Sequence, residues 1–224
     1  MQQSGGEYTP PLFVCVLTER GVIWMKYLIL MGSANRDGNT AALLKPFMQT
    51  NEELGIEQEM LWLYDKEIRP CTGCKACQDV AGELGCVQRD DFEEIYQKVL
   101  DCDLLILATP MYSWFCTPPM KAAMDRLIYG GSKYYGSTRQ PSTLAGKRVM
   151  TFATCGYPPH KGTDLWGAAL LRWCKHSEME YLGMYHHRDT GKKEEFMNEQ
   201  VDTDLRNYAQ ALYKTLVREM GEQR

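Results

Sequence analysis

Apolar positions along the chain alternate between two modes. Unbroken or nearly unbroken runs of strand length stand at 27–31 (YLILM), 103–109 (DLLILAT) and 148–154 (RVMTFAT). Such runs fit strands buried on both faces of a sheet. Residues 57–64 (EQEMLWLY) and, more weakly, 180–186 complete a set of five strands. Between them the apolar residues fall at helical spacing. One helix is predicted from Asn39 or Thr40, with Ala41, Leu43, Leu44, Phe47 and Met48 on its inner face. A second follows the acidic pair Asp90-Asp91 and buries Phe92, Ile95, Tyr96 and Val99; a third follows Pro118-Pro119 and buries Met120, Ala123, Met124 and Leu127. Acidic residues and proline both suit the first turn of a helix. Two more helices are predicted over 164–176 and 194–220.

Strands separated by helices pair in parallel through right-handed crossovers, so the pattern predicts an α/β domain with an open, doubly wound sheet. In such sheets ligands bind beyond the carboxyl ends of the strands. The loops after Met31, Tyr64, Thr109, Thr154 and His186 are therefore the ones to inspect. The domain is expected to span 25–224. Residues 1–24 are expected to be an extension outside the core, with an extra edge strand or packed arm as the alternative. The apolar stretch 12–17 (LFVCVL) lacks a preceding Lys or Arg and is followed by Glu19 and Arg20, which does not fit a secretory leader.

Composition narrows the partners. The 224 residues are 44% hydrophobic and 24% charged, with a formal net charge of −4 and no basic block. That balance disfavours nucleic acid. No apolar run approaches the roughly 18 residues that would span a bilayer, so no membrane partner is expected. Nine cysteines cannot all pair within one chain. A cytoplasmic setting is expected, where cysteines serve as thiols, metal ligands or redox groups.

Three loops carry candidate chemistry. Residues 32–40 read GSANRDGNT, running from a buried strand into a helix. A helix start offers free backbone N–H groups and a positive dipole end, which suit an anion. No Lys precedes Thr40 and the glycine spacing is wrong for GxGxxG, so neither standard nucleotide loop is present. Hydroxyls plus N–H groups suit a single terminal phosphate; a polar turn capped by Asn39 or Thr40 fits equally. Residues 108–119 (ATPMYSWFCTPP) place Tyr112 and Trp114 at a strand's carboxyl end. There they either cover a flat apolar ligand or join an aromatic cluster under the loop 129–146 or at a subunit contact. Residues 153–164 (ATCGYPPHKGTD) lie at the same edge, where Cys155 reads as a small loop residue and His160 as solvated. Cys71, Cys74, Cys77 and Cys86 spell C-x2-C-x2-C-x8-C. That spacing suits an iron–sulfur cluster, a zinc site, or thiols without a cofactor. His186 and His187, adjacent on a strand, point to opposite faces and make a poor metal pair. Cys15, Cys102, Cys116 and Cys174 read as small hydrophobes.

Taken in order, GSANRDGNT, CTGCKACQ (71–78), ATPMYSW (108–114) and MKAAMDR (120–126) resemble the flavodoxin-like NAD(P)H-dependent FMN reductases, including the iron–sulfur flavoproteins. The resemblance covers about residues 25–185. It implies a three-layer flavodoxin-like fold with a five-stranded parallel sheet in the order 2-1-3-4-5. It also implies bound FMN and NAD(P)H as co-substrate. Ser33, Asn35, Arg36, Gly38, Asn39 and Thr40 would hold the phosphate, although the family's arginine stands one place earlier, where this chain has Asn35. Pro110, Met111, Tyr112, Ser113 and Trp114 would border the ring. Thr154, Cys155, Gly156 and Tyr157 would face its N1–C2=O side. No acid–base catalytic pair is implied. In the iron–sulfur relatives the four cysteines hold a [4Fe-4S] cluster, with a final gap shorter than the eight residues here. The acceptor would be free flavin, a quinone, a nitroaromatic or a protein. A homodimer or homotetramer would cover the flavin, with 129–146 as a lid or dimer arm. Ala122, Ala123 and the pair Asp125-Arg126 read as helix packing and a structural ion pair. Two other functions stand beside the reductase: an electron carrier with a cluster on the four cysteines, and a non-enzymatic FMN redox sensor or zinc-stapled module.

Overall fold

The computed structural model describes residues 16–18, 21–23, 25–136 and 139–222. Five parallel strands form one sheet: β3 (Lys26–Met31), β4 (Glu57–Trp62), β5 (Leu104–Pro110), β6 (Arg148–Cys155) and β7 (Glu180–Arg188). Their order across the sheet is β4-β3-β5-β6-β7, the expected 2-1-3-4-5. Ahead of them, β1 (Val16–Thr18) and β2 (Gly21–Ile23) pair only with each other, antiparallel, and neither joins the large sheet. The rest of 1–24, with Cys15, lies outside the described residues, apart from these two strands.

Residues 27 to 31 of β3 are all fully buried, and their alternation feeds two separate cores. Tyr27, Ile29 and Met31 pack with Leu43, Leu44 and Phe47 of α1 (Asn39–Glu53) and with Leu205, Ala209 and Leu216 of α7 (Glu199–Glu222). Leu28 and Leu30 pack with α2 (Phe92–Asp101), α3 (Pro118–Gly131) and α5 (Asp164–His176), which follows the one-turn α4 (Pro159–Gly162), through Phe92, Ile95, Met120, Leu127, Trp166 and Leu170. A strand facing helices on both sides must be apolar throughout, which is why period-2 patterning is missing from its sequence. Pro46 stands inside α1 without ending it.

Three boundaries differ from expectation. The second strand stops at Trp62 and gives way to a 3-10 turn, Leu63–Asp65. The last strand continues through Arg188. The expected helix 194–220 is instead a short turn of helix, α6 (Lys193–Phe196), followed by α7. The break has a physical cause. Asn198 Oδ1 accepts the Val201 N–H at 3.0 Å, starting a fresh helix. Phe196 is meanwhile buried against the His187 ring and its carbonyl bonds His187 Nε2 at 2.8 Å. No helix among the described residues is long and apolar enough to cross a membrane.

Candidate functional site

The carboxyl edge of the sheet gathers the loops that follow β3, β5, β6 and β7. The chain leaves β3 at Gly32, whose N–H bonds Ala108 O at 2.7 Å. A Cβ there would stand 2.8 Å from Thr117 Oγ1, so only glycine fits between the two loops. Ser33 is buried and its hydroxyl bonds the backbone of Asn35; Asn35 Oδ1 in turn accepts the Asp37 N–H at 3.1 Å. Gly38 then precedes α1. No side chain caps the first turn and no acidic residue lies in it. Its N–H groups and positive dipole end remain open to an anion.

Asn39 and Thr40 are therefore not caps. Asn39 Nδ2 donates to Asp189 Oδ2 at 2.7 Å. Thr40 Oγ1 lies 2.8 Å from Thr154 Oγ1, joining the first loop to the fourth through a buried hydroxyl pair. Arg36 is set apart from its expected companions. Its guanidinium pairs with Asp65 and lies over the Trp62 ring, 4.8 Å from the centroid. A cavity of about 430 Å³ opens between Ser33, Asn35, Gly38, Asn39, Thr40, Pro110, Tyr112 and Thr154. Asp37, Asp189 and Gly191 line it too. None of the three was expected there, although Asp189-Thr190-Gly191 is a recognisable turn signal at a strand's end.

The loop after β5 is a tight reversal. Met111 N–H bonds Thr154 O at 2.8 Å, and Tyr112 and Phe115 exchange backbone bonds of 2.8 and 3.1 Å. Between them Ser113 and Trp114 take φ values of 49° and 64°. Left-handed backbone at a residue with a Cβ costs about 1–2 kcal/mol. The reversal leaves Tyr112 51% and Trp114 49% exposed. Trp114 stacks on the equally exposed Tyr157, centroids 6.0 Å apart and planes 20° from parallel. Among the described residues they form no aromatic cluster with 129–146. A second cavity of about 300 Å³ lies between Met111, Ser113 and Trp114 on one side and Cys155, Gly156 and Tyr157 on the other. The Cys155 thiol donates to Tyr157 O at 3.0 Å, and burial pushes its pKa up. A neutral, occupied thiol is a poor nucleophile. Tyr64, also exposed, has its hydroxyl pKa raised by partial burial and then by Tyr112.

The cysteine segment packs against α3 and lines neither cavity. Its shape is held by polar anchors. Buried Lys133 donates to the carbonyls of Cys77 (2.7 Å) and Leu84 (3.2 Å). Gln78 Nε2 donates to Tyr129 O at 2.5 Å and its Oε1 accepts the Tyr135 N–H at 3.1 Å. The Arg126 side chain, 2% exposed, meets Asp90 at 2.5 Å and covers the Phe92 ring. Asp125 pairs separately with Lys121. The thiols themselves have different partners, although the Cys77 pKa is raised by burial and then by Cys86 and Cys71, which lie near enough to contribute. Cys77 donates to Tyr129 O at 3.3 Å, Cys86 lies 3.4 Å from Arg126 Nη2, Cys71 accepts from the Gly73 N–H at 3.5 Å, and Cys74 is exposed. Among the described residues no three His, Cys, Asp or Glu side chains stand together as a metal site. The described part of 129–146 packs on this segment and on His176 of α5, through Tyr134 and Tyr135. It does not lie over the rim.

Chemically, the rim offers an open helix start at one end and exposed aromatic faces at the other. The family described as NADPH-dependent FMN reductase matches residues 25–163. An iron–sulfur flavoprotein of Archaeoglobus fulgidus is 35% identical over 147 residues, covering 60% of this chain and 66% of that protein. Three further iron–sulfur flavoproteins are matched over about half their length, so the chain spans about half to two thirds of these relatives. The NAD(P)H:quinone oxidoreductase of Methanothermobacter marburgensis shares the fold, with a TM-score of 0.62, 18% identity, and coverage of 85% of this chain and 98% of that one. So does an FMN-dependent NADH-azoreductase of Bacillus anthracis solved with FMN: TM-score 0.62, 15% identity, 84% and 99% covered.

Proposed function

We propose, for a chain that belongs to the NADPH-dependent FMN reductase family, that the rim binds FMN and that the protein is an oxidoreductase passing reducing equivalents from NAD(P)H to an acceptor. The observation that carries this reading is the pairing of an uncapped first turn on α1 with half-exposed aromatics held by two left-handed residues. Strain of that kind persists where the surroundings over-determine it, and it collects at ligand sites. Bound FMN would supply hydride acceptance and release in one- or two-electron steps. The chain's own part is to hold and orient. The Gly38–Thr40 turn takes the anionic tail, Pro110 to Trp114 take the ring edge, and the turn 154–157 offers N–H groups to the ring's carbonyl side. Fixed donors there favour the form carrying more negative charge.

A small planar acceptor, of the quinone or azo class on which the named structural neighbours act, suits the cavity beside Trp114 and Tyr157. Self-association belongs to the same reading. Leu165 and Leu171 are exposed on α5, which begins at this rim; six positions apart, they stand about 120° from each other around the helix and offer a second copy two separate apolar contacts. The testing experiment is a visible spectrum of protein mixed with FMN and freed of excess, before and after NAD(P)H. A flavin spectrum that NAD(P)H bleaches is expected; protein that retains no FMN refutes the reading.

A second reading, an electron carrier with an iron–sulfur cluster on Cys71, Cys74, Cys77 and Cys86, is favoured by their spacing and by the name of the Archaeoglobus relative. Among the described residues the four thiols are not assembled as a metal site, though Cys71 and Cys86 both lie near Cys77. Iron and acid-labile sulfide in stoichiometric amounts would establish it, and their absence from anaerobically prepared protein would remove it.

A further inference from the structure

A carboxylate already stands beside the open anion end of the rim. We propose that Asp189, from the segment after β7, is a built-in competitor for the flavin phosphate and sets how strongly the site prefers a phosphorylated flavin. The inference rests on the FMN reading above and goes beyond it.

Asp189 is held in place from three sides. Its N–H bonds Cys155 O at 2.7 Å, Oδ1 accepts the Gly191 N–H at 2.8 Å, and Oδ2 accepts from Asn39 Nδ2 at 2.7 Å. Gly191 takes φ 81°, which closes the turn that aims the carboxylate back at α1. Asn39 is the first residue of α1, so the carboxylate sits where the dipole and the open first turn favour negative charge. Among the described residues bounding this cavity there is no arginine, lysine or histidine, whereas Asp37 and Asp189 both line it. The cations nearby are engaged elsewhere: Arg36 with Asp65, Arg188 with the Gly156 carbonyl, Lys192 with Glu195.

A phosphate entering here has two choices. It can displace Asp189 from Asn39, or it can share the same amide nitrogen, which has two hydrogens, and stand beside a like charge. Either choice weakens binding of the dianion. Neither touches a flavin that lacks the phosphate. Asp189 therefore acts as a specificity-determining residue, lowering affinity for FMN while leaving the neutral vitamin unaffected.

The test titrates flavin-free protein with FMN and with riboflavin, reading quenching of flavin fluorescence, for wild type, Asp189→Asn and Asp189→Ala. Thermal melts confirm that each variant is folded. Both variants are expected to bind FMN about tenfold tighter, a change of about 1.4 kcal/mol, with riboflavin affinity changed less than twofold. FMN affinity that is unchanged or weaker in both variants overturns the inference and leaves the FMN reading standing. Tightening of both flavins by one factor reports a general loosening of the rim and overturns it too. Wild-type protein that takes up neither flavin refutes the reading itself, and this inference with it.

Discussion

Replacing Thr40 by valine tests whether the first and fourth loops are joined as the structure shows. Thr40 and Thr154 are 2% and 4% exposed, and their hydroxyls lie 2.8 Å apart. Valine preserves the shape of threonine and removes the hydroxyl. The single variant leaves the Thr154 hydroxyl buried with its partner gone, which costs about 1–3 kcal/mol. Thr154→Val should cost a similar amount for the mirror-image reason. The double variant leaves no orphan, so its loss should fall below the sum of the two singles by about 1–2 kcal/mol. Urea unfolding followed by circular dichroism measures all three. Singles that cost nothing, or a double that is simply additive, would show that the hydroxyls do not couple. Affinity for FMN gives a second readout. Thr40→Val should weaken it severalfold, through loss of a hydroxyl near the open helix start.

Replacing Asn39 and Thr40 together by alanine should raise the FMN dissociation constant about tenfold or more, since each hydrogen bond to a charged group is worth about 1.5–3 kcal/mol; unchanged affinity counts against the phosphate assignment. Ser113→Gly should stabilise the apoprotein by about 1 kcal/mol by relieving left-handed backbone, a rise of about 2–4 °C in Tm; a fall in Tm refutes the strain. For Asp90, burial acts to raise the pKa, but the Arg126 bond and the N–H groups of Arg69 and Phe92 outweigh it and hold the carboxyl below its usual value. A depressed folded pKa contributes stability above the unfolded value and loses it as pH falls, so Asp90→Asn should flatten the loss of stability below about pH 4. In brief alkylation at neutral pH, peptide mass spectrometry should find Cys74 modified first. It is exposed, and its pKa is lowered by bonds from the Ala76 N–H and Thr72. Cys102, Cys116 and Cys174 should lag, their thiols pushed up by burial to about 11, about 12 and about 12.

Much of the fold was legible because its strands are buried on both faces. Runs such as 27–31 and 103–109 have no other reading at that length, and strand–helix alternation then fixes parallel pairing. The helix 164–176 was placed to the residue because Asp164 opens it and its apolar spacing stops at His176. The final helix was misjudged because a single side chain, Asn198, restarts it, and caps are weak signals amid continuous periodicity. At the rim, backbone-driven features were readable and side-chain directions were not. Arg36 sits in the right loop but turns to Asp65 and Trp62, a choice made by residues about thirty positions away. Asp189 bonds Asn39 across 150 positions, a pairing that local pattern does not encode. The left-handed pair Ser113-Trp114 was invisible for the opposite reason: neither residue prefers that backbone, and only the surrounding strands impose it.

The anchors beneath the four cysteines lead to one more conclusion. An ammonium, an amide and a guanidinium–carboxylate pair fix that stretch of chain, and two of these anchors also reach its sulfurs: Gln78 Nε2 donates to Cys77 at 3.6 Å and Arg126 Nη2 lies 3.4 Å from Cys86. In zinc fingers the ion is the keystone, and chelation collapses the arch. Here polar side chains brace the stretch from within, and a modification at Cys77 or Cys86 acts on the brace as well as on the sulfur.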